Sequence, residues 1–278
     1  MANLKDIRDR IKSVKSIQQV TSAMRMVAAA KLRRAQERME QARPYEQRLQ
    51  EVINNLLPDV NRDMLDLLQV RDVKRIGYLI VTSDRGLAGA FNTNVIKKVE
   101  SEIGEIGREN TDLFCIGRKG RDHFKKRDYS VMLEYVEFWN ELDFIHAAKF
   151  GKSIISHFLS GKVDEIRVVY NRFKNVGMQE LRVEKLLPLY YESEKNHFGN
   201  RIYEPNKKEI VESLIPRHQN VEMWIYLLES YASEMAARMV SMENATENAG
   251  EMIKSLQLEF NKVRQASITT ETVSYTQL

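Results

Sequence analysis

The chain has 278 residues, of which 43% are hydrophobic and 29% charged, and its formal net charge is only +4. This composition is typical of a soluble, helix-rich protein and argues against a disordered chain. Its apolar runs are far shorter than the roughly 18 residues that a membrane-spanning helix needs, and the N-terminal residues lack the apolar core of a signal peptide. The single cysteine, Cys115, cannot form an internal disulfide, which favours a reducing compartment.

Residues 1–43 contain neither proline nor glycine and are predicted to form one long helix. Their apolar side chains recur at steps of three and four residues, the pattern of a helix with one buried stripe. The stripe changes register from Val14 to Ile17 to Val20, which indicates a coiled coil with stammers. At 1.5 Å per residue this helix would extend for about 65 Å, and we expect Pro44 to kink it rather than end it.

The middle of the chain alternates between strand and helix patterns. Helices are predicted at 92–106, near His123 and at 144–159. Strands are predicted at five places: 76–82, 113–116, 131–136, 165–173 and 180–186. Strands separated by helices predict a Rossmann-like α/β domain with a mainly parallel sheet, which we place at residues 72–212.

Residues 217–278 are predicted to form a second long helix. A strict seven-residue repeat runs from Val221 to Val263, and it indicates left-handed supercoiling against a partner helix. The N-terminal 43 residues carry 11 Lys/Arg against 4 Asp/Glu, whereas this segment carries 5 against 8. Opposite charge and matching apolar stripes predict that the segments 1–58 and 217–278 pair as an antiparallel coiled coil.

Motifs that would indicate chemistry are missing from the sequence. The turn SDRGLAGAFN (83–92) follows a strand and precedes a helix, but it lacks the G-x-G-x-x-G spacing, and no Walker A motif occurs in the chain. We interpret this turn, and the loop GRKGRD (117–122), as tight connections. The five histidines lack metal-ligand spacing. We therefore predict no catalytic residue, no metal and no cofactor.

These residues leave several classes of function open. A rigid coiled coil on a globular base is typical of a non-enzymatic mechanical or scaffold protein. The basic N-terminal helix could instead bind nucleic acid, although acidic residues are interspersed and stacking aromatics are missing from it. A nucleotide-binding α/β enzyme is the third possibility, and it requires that the isolated chain bind ATP.

Five stretches carry a resemblance to a known family. They are IRDRIKSVKSIQQVTSAMRMVAAAKLRRAQ (7–36), YLIVTSDRGLAGAFN (78–92), LLPL (186–189), YEP (203–205) and NATENAGEMIKSLQLEFNKVRQASITTE (244–271). Together they closely resemble the gamma subunit of F-type ATP synthase, from one end of the chain to the other.

The resemblance implies a central rotor shaft. Its terminal helices would form an antiparallel coiled coil inside a hexamer of alpha and beta subunits, and its α/β domain would stand on the c-ring beside epsilon. The chain would be a non-catalytic subunit with neither a membrane span nor a nucleic-acid partner, and the active sites would lie on beta. It would be peripheral on the cytoplasmic face of the bacterial cell membrane.

The resemblance also implies partner contacts for particular residues. Arg264, Gln265, Thr269 and Thr270 match positions that bind a loop of one beta subunit, and a guanidinium and an amide suit that role. A second set matches other surfaces: Met24 and Lys31 the collar of the hexamer, and Tyr203 and Glu204 the region facing the c-ring and epsilon.

Overall fold

The computed structural model describes residues 4–57, 60, 65–190, 204 and 206–276, and the side chains of these up to residue 269. Two long helices, α1 (Leu4–Leu56) and α5 (Lys207–Thr276), lie at the two ends of the chain. Between them, the described residues form five strands and three shorter α-helices. In chain order these are β1 (Ile76–Val81), α2 (Phe91–Ile106), β2 (Thr111–Ile116), α3 (Arg118–Lys125), β3 (Val131–Tyr135), α4 (Phe144–Leu159), β4 (Glu165–Asn175) and β5 (Met178–Leu187).

The five strands form one sheet in the order β3-β2-β1-β4-β5. β1, β2, β3 and β4 pair in parallel, and β5 pairs antiparallel with β4 as the second strand of a hairpin. The mainly parallel sheet predicted from the sequence is therefore confirmed. Every residue of β1 and β2 is buried, as expected for central strands that are covered on both faces.

Alternate side chains of the central strands enter two separate cores. Leu79 and Val81 pack in a core that includes buried residues of α1, α4 and α5. Tyr78 and Ile80 point the other way, into a smaller core formed with α2 and α3. The period-two alternation of the strands thus produces three layers, with the sheet in the middle.

The chain separates into two compact units that cut across the long helices. One unit contains residues 1–30 and 238–278, and the other contains residues 31–237. The sequence predicts a different division, which follows the secondary structure, into 1–58, 72–212 and 217–278. That division stays a prediction.

The start of α5 differs from the predicted start at residue 217. The helix begins at Lys207 and continues through Pro216. The Asn206 side chain accepts a hydrogen bond from the backbone N–H of Glu209 at 2.9 Å, so it satisfies one of the amides that a helix start leaves free. An Asn followed three residues later by Glu is a capping signal, and it lies ten residues before Pro216. Pro44 likewise lies inside α1, as expected.

Candidate partner-binding surfaces

In the unit formed by residues 1–30 and 238–278, α1 and α5 pair antiparallel. Arg8 lies over the ring of Phe260, with 5.6 Å from its guanidinium carbon to the ring centre, whereas Arg25 binds Glu243 at 2.9 Å. Ascending positions on α1 therefore meet descending positions on α5. The predicted antiparallel coiled coil is confirmed within this unit.

The predicted register change in α1 is wrong. Ile17 and Val20 are each 55% exposed, whereas Gln18, Thr21 and Arg25 are buried or half-buried. The seam therefore keeps a regular step of three and four residues and includes polar side chains. The prediction failed because it assumed that only apolar residues occupy a seam.

The polar side chains of this seam have partners on α5. The hydroxyls of Thr21 and Thr246 are 2.7 Å apart, and Gln18 donates its amide to the carbonyl of Thr246 at 3.5 Å. Arg25 forms its ion pair with Glu243 while about 40% of its side chain remains exposed. These contacts add three polar layers to the apolar seam between the two helices.

Three of the predicted beta-contact residues lie close together on α5. Arg264, Gln265 and Thr269 are all exposed, and the Thr269 hydroxyl donates a hydrogen bond to the carbonyl of Gln265 at 2.9 Å. Thr270 belongs to the same helix, and its side chain lies outside the described residues. The guanidinium of Arg264 and the amide of Gln265 are thus available to a carboxylate or carbonyl of a partner.

The other predicted contact residues do not join this patch. Met24 is half-buried in α1, and its neighbour Arg25 pairs with Glu243 of α5. Gln265 lies 22 positions further along α5, so Met24 is about 33 Å from the patch along the coil. Lys31 belongs to the second unit, where its ammonium donates to the side-chain carbonyl of Asn140 at 3.1 Å. Glu204 is exposed, whereas Tyr203 lies outside the described residues.

The turn after β1 is built from internal hydrogen bonds. Asp84 accepts hydrogen bonds from the backbone N–H groups of Arg118, at the start of α3, and Glu137, at 2.8 and 2.7 Å. The side-chain carbonyl of Asn92 accepts from the backbone N–H of Ser83 at 2.9 Å. A phosphate at the start of α3 would have to displace the Asp84 carboxylate. This geometry favours the interpretation of residues 83–92 as a connection rather than a nucleotide site.

Carboxylates from three elements face one another inside the unit of residues 31–237. Glu222 of α5 interacts with Glu46 of α1 and Glu184 of β5, and burial together with these two charges raises the pKa of Glu222 to about 8. His218, one turn away, is 1% exposed, and burial lowers its pKa to about 4. At neutral pH both groups are therefore uncharged, and the 3.9 Å approach of His218 to Glu222 is not an ion pair.

We expect Glu222→Gln to weaken the pH dependence of stability above pH 6.5. The unfolded chain loses the Glu222 proton near pH 4.5, whereas the folded chain keeps it until about pH 8, so the wild type loses stability as the pH rises across that range. His218 acts in the opposite direction only below pH 6.5. Because a quarter of the Glu222 side chain is accessible, we expect the variant to avoid about 1 to 2 kcal/mol of loss between pH 6.5 and 8.

Urea unfolding of the full chain at pH 6.5 and pH 8 measures this difference. Glu251→Gln, at an exposed position of the same helix, is the control for the change in net charge. Equal loss of stability in the wild type and in Glu222→Gln would show that Glu222 does not carry the proton.

The described residues bear on two further kinds of feature, a metal-binding cluster and a membrane-spanning helix. Among them, no three His, Cys, Asp or Glu side chains come together in a way that could hold a metal ion. None of the helices in the described part of the chain is both long enough and apolar enough to cross a membrane.

The fold matches solved structures of ATP synthase rotors. The rotor of the Euglena gracilis mitochondrial ATP synthase aligns with a TM-score of 0.69 at 21% identity, covering 95% of this chain and 98% of that one. The central stalk and c-ring structure from Tetrahymena thermophila contains a chain that aligns with a TM-score of 0.64 at 23% identity, covering 81% and 99%. At these identities the likeness establishes the fold.

Sequence comparison extends the likeness to a family. The family described as ATP synthase matches residues 3–273. The ATP synthase gamma chain of Prosthecochloris aestuarii is 46% identical over 280 residues, covering 98% of this chain and 95% of that protein. That of Moorella thermoacetica is 41% identical over 273 residues, covering 98% and 96%. Both relatives match over nearly their whole length, and the chain therefore belongs to the ATP synthase gamma-chain family.

Proposed function

We propose that this chain is the central rotor shaft of an F-type ATP synthase. The paired helices of α1 and α5 turn inside a hexamer of alpha and beta subunits, and the α/β unit stands on the c-ring beside epsilon. Ion flow through the membrane sector turns the ring and the shaft, and the asymmetry of the shaft takes the beta sites through their states in order. The chain is a non-catalytic subunit, and nucleotide chemistry takes place on beta.

The observation that carries this proposal is the construction of the paired helices. A shaft has to resist both twisting and sliding of one helix along the other. Interlocked apolar side chains resist bending and twisting, and the Thr21–Thr246 and Arg25–Glu243 contacts oppose sliding because a shift would leave these polar groups without their partners.

The proposed contacts divide by position. Arg264, Gln265, Thr269 and Thr270 bind a loop of one beta subunit at a time, and their exposure on α5 supports this role for the first three. Met24 and Lys31 face the collar of the hexamer. Tyr203 and Glu204 meet the c-ring and epsilon. As part of the complex, the chain is peripheral on the cytoplasmic face of the bacterial cell membrane.

We expect replacement of Arg264 and Gln265 together by alanine to reduce coupling without unfolding the chain. Both side chains are exposed, so their loss should change the free energy of unfolding by less than about 0.5 kcal/mol. Losing two gripping side chains should lower the ATP synthesis rate of the reconstituted complex several-fold. Arg48→Ala, at an exposed position of α1 outside the paired region, is the control.

Assembly distinguishes the proposal from its alternatives. A tagged chain expressed at its native level should bring down alpha, beta and epsilon together with ATPase activity. Recovery of the chain without ATPase activity would contradict the rotor function. Recovery with nucleic acid that is released by salt would favour the nucleic-acid alternative.

A further inference from the structure

A buried carboxylate joins α5 to two other elements of the unit of residues 31–237. The side chain of Glu229, on α5, is only 5% exposed. Its Oε1 atom lies 3.3 Å from the guanidinium of Arg43 on α1, and its Oε2 atom lies 3.9 Å from the guanidinium of Arg172 on β4. Each oxygen of this carboxylate therefore holds a different element against α5.

A hydroxyl one turn further along α5 makes a second link to β4. Ser233 is fully buried, and its O–H donates a hydrogen bond to the backbone carbonyl of Asn171 at 2.9 Å. The buried side chain of Asn171 in turn donates its amide to the carbonyl of Phe91, the first residue of α2, at 3.2 Å. Because α2 packs on the opposite face of the sheet, this polar connection runs from α5 through β4 to the far layer.

The two links share one face of α5 with an apolar contact. Residues four apart in a helix lie one above the other, so Glu229 and Ser233 both face β4. Tyr226, one turn before Glu229, packs against Tyr170 of β4 with 4.8 Å between ring centres. Apolar contacts are non-directional and tolerate a small rotation, whereas a hydrogen bond weakens steeply when its angle changes. The polar links therefore oppose rotation of α5 about its own axis more strongly than the apolar contact does.

A buried carboxylate is a costly way to gain stability alone. The pKa of Glu229 is raised, because the effect of burial outweighs the opposing effects of Arg172 and Arg43. Well-packed apolar residues often stabilise a protein as much as a buried ion pair does, and the better attested use of such a pair is to fix one arrangement of the elements around it. The position of Glu229 between α1, α5 and β4 suits that use.

We propose that Glu229 and Ser233 are positioning residues through which torque passes between the sheet and α5. The helix extends from Lys207 to Thr276, so it continues beyond this unit into the paired helices. A turn of the sheet reaches the rest of the helix only if α5 cannot rotate in place on β4. The inference rests on the proposed rotor function and deepens it by assigning the joint to particular side chains.

Angular fluctuation of the stalled, assembled complex measures this joint. The hexamer is fixed to a surface, and a bead is attached through Glu105→Cys, at an exposed position of α2, in a complex whose other subunits lack accessible cysteine. The native Cys115 is buried, so it does not compete for the label. We expect Glu229→Gln together with Ser233→Ala to raise the variance of the bead angle about twofold, because the substitutions remove the directional links and leave the apolar contacts.

Glu212→Gln together with Ser213→Ala is the matched control. The same two changes are made on the same helix at exposed positions, where Glu212 pairs with Lys208 at 3.6 Å and Ser213 donates to the carbonyl of Ile210 at 2.8 Å. Both partners belong to α5 itself, so these contacts do not join the helix to the sheet. We expect the bead attached to this variant to show the angular variance of the wild type.

A double substitution tests whether Glu229 acts through its partner on α1. Arg43→Met keeps an apolar stem and removes the guanidinium. We expect Arg43→Met alone to raise the angular variance, and the same change to add less when Glu229→Gln is already present, because both substitutions remove one shared link. Equal effects of Arg43→Met in the two backgrounds would show that Glu229 does not act through Arg43 and would contradict this part of the proposal.

Urea unfolding of the full chain separates torque transmission from stability. A Glu229→Gln/Ser233→Ala chain that loses stability but keeps the angular variance of the wild type in the assembled complex would overturn the proposal, since the two residues would then only stabilise the fold. A variance equal to that of the matched control would overturn it too. Failure of the wild-type chain to assemble into an ATPase-active complex would instead contradict the rotor function itself, so the two failures are distinct.

Discussion

Met242→Pro is expected to stop ATP-driven rotation. Met242 is 4% exposed in the seam of α5, and its carbonyl accepts the Thr246 hydroxyl at 2.7 Å. Proline removes the backbone N–H at this position and clashes with the preceding turn, which costs about 3 kcal/mol or more. A kink here would also separate Glu243 from Arg25 and Thr246 from Thr21, so the paired helices would lose their polar layers together.

Two measurements on matched variants check this result. Urea unfolding of the full chain gives the loss of stability, and single-molecule observation of the assembled complex gives rotation. Met242→Leu conserves the volume of the side chain, and it should cost less than about 1.5 kcal/mol and leave rotation intact. Normal rotation of Met242→Pro would contradict the coiled-coil assignment of this segment.

Much of the fold could be predicted because its signals are local. The strands of the sheet are short apolar runs bounded by turns, and their positions agree with prediction to within a few residues. The heptads of α5 predicted its buried face, since Val221, Leu228, Met235 and Met242 are all at most 5% exposed. These positions are apolar in the sequence and buried in the structure for the same reason.

The seam of α1 could not be predicted from apolar residues alone. Ile17, Val20 and Val27 are apolar but more than half exposed, whereas Thr21 is 9% exposed and Ala28 is 1% exposed. Extending the three-and-four spacing from Ile7 through Thr21 to Ala28, without regard to polarity, would have found the seam. The partner residues Glu243 and Thr246 are more than 200 positions away, so their contacts required the structure.

Gly117 connects β2 to α3, and we expect Gly117→Ala to unfold the α/β unit. Gly117 has a φ of +94°, and a Cβ at this position would overlap the backbone carbonyl of Thr82. Thr82 follows β1 directly, and its backbone N–H donates a hydrogen bond to the carbonyl of Ile116 in β2 at 2.8 Å. The Thr82 carbonyl therefore cannot move away without breaking the pairing of β1 with β2. We expect a loss of more than about 4 kcal/mol.

Two other glycines separate the possible causes of such a loss. Gly161 has φ +70° and open space around it, so Gly161→Ala should cost only the backbone strain of about 1 to 2 kcal/mol. Gly104 lies in α2, also with open space, and Gly104→Ala should stabilise by about 0.5 to 1 kcal/mol. Urea unfolding of the three full-length variants tests the order. If Gly117→Ala cost no more than Gly161→Ala, backbone strain alone would explain it, and the close approach of β1 and β2 at Thr82 would not be what requires glycine at position 117.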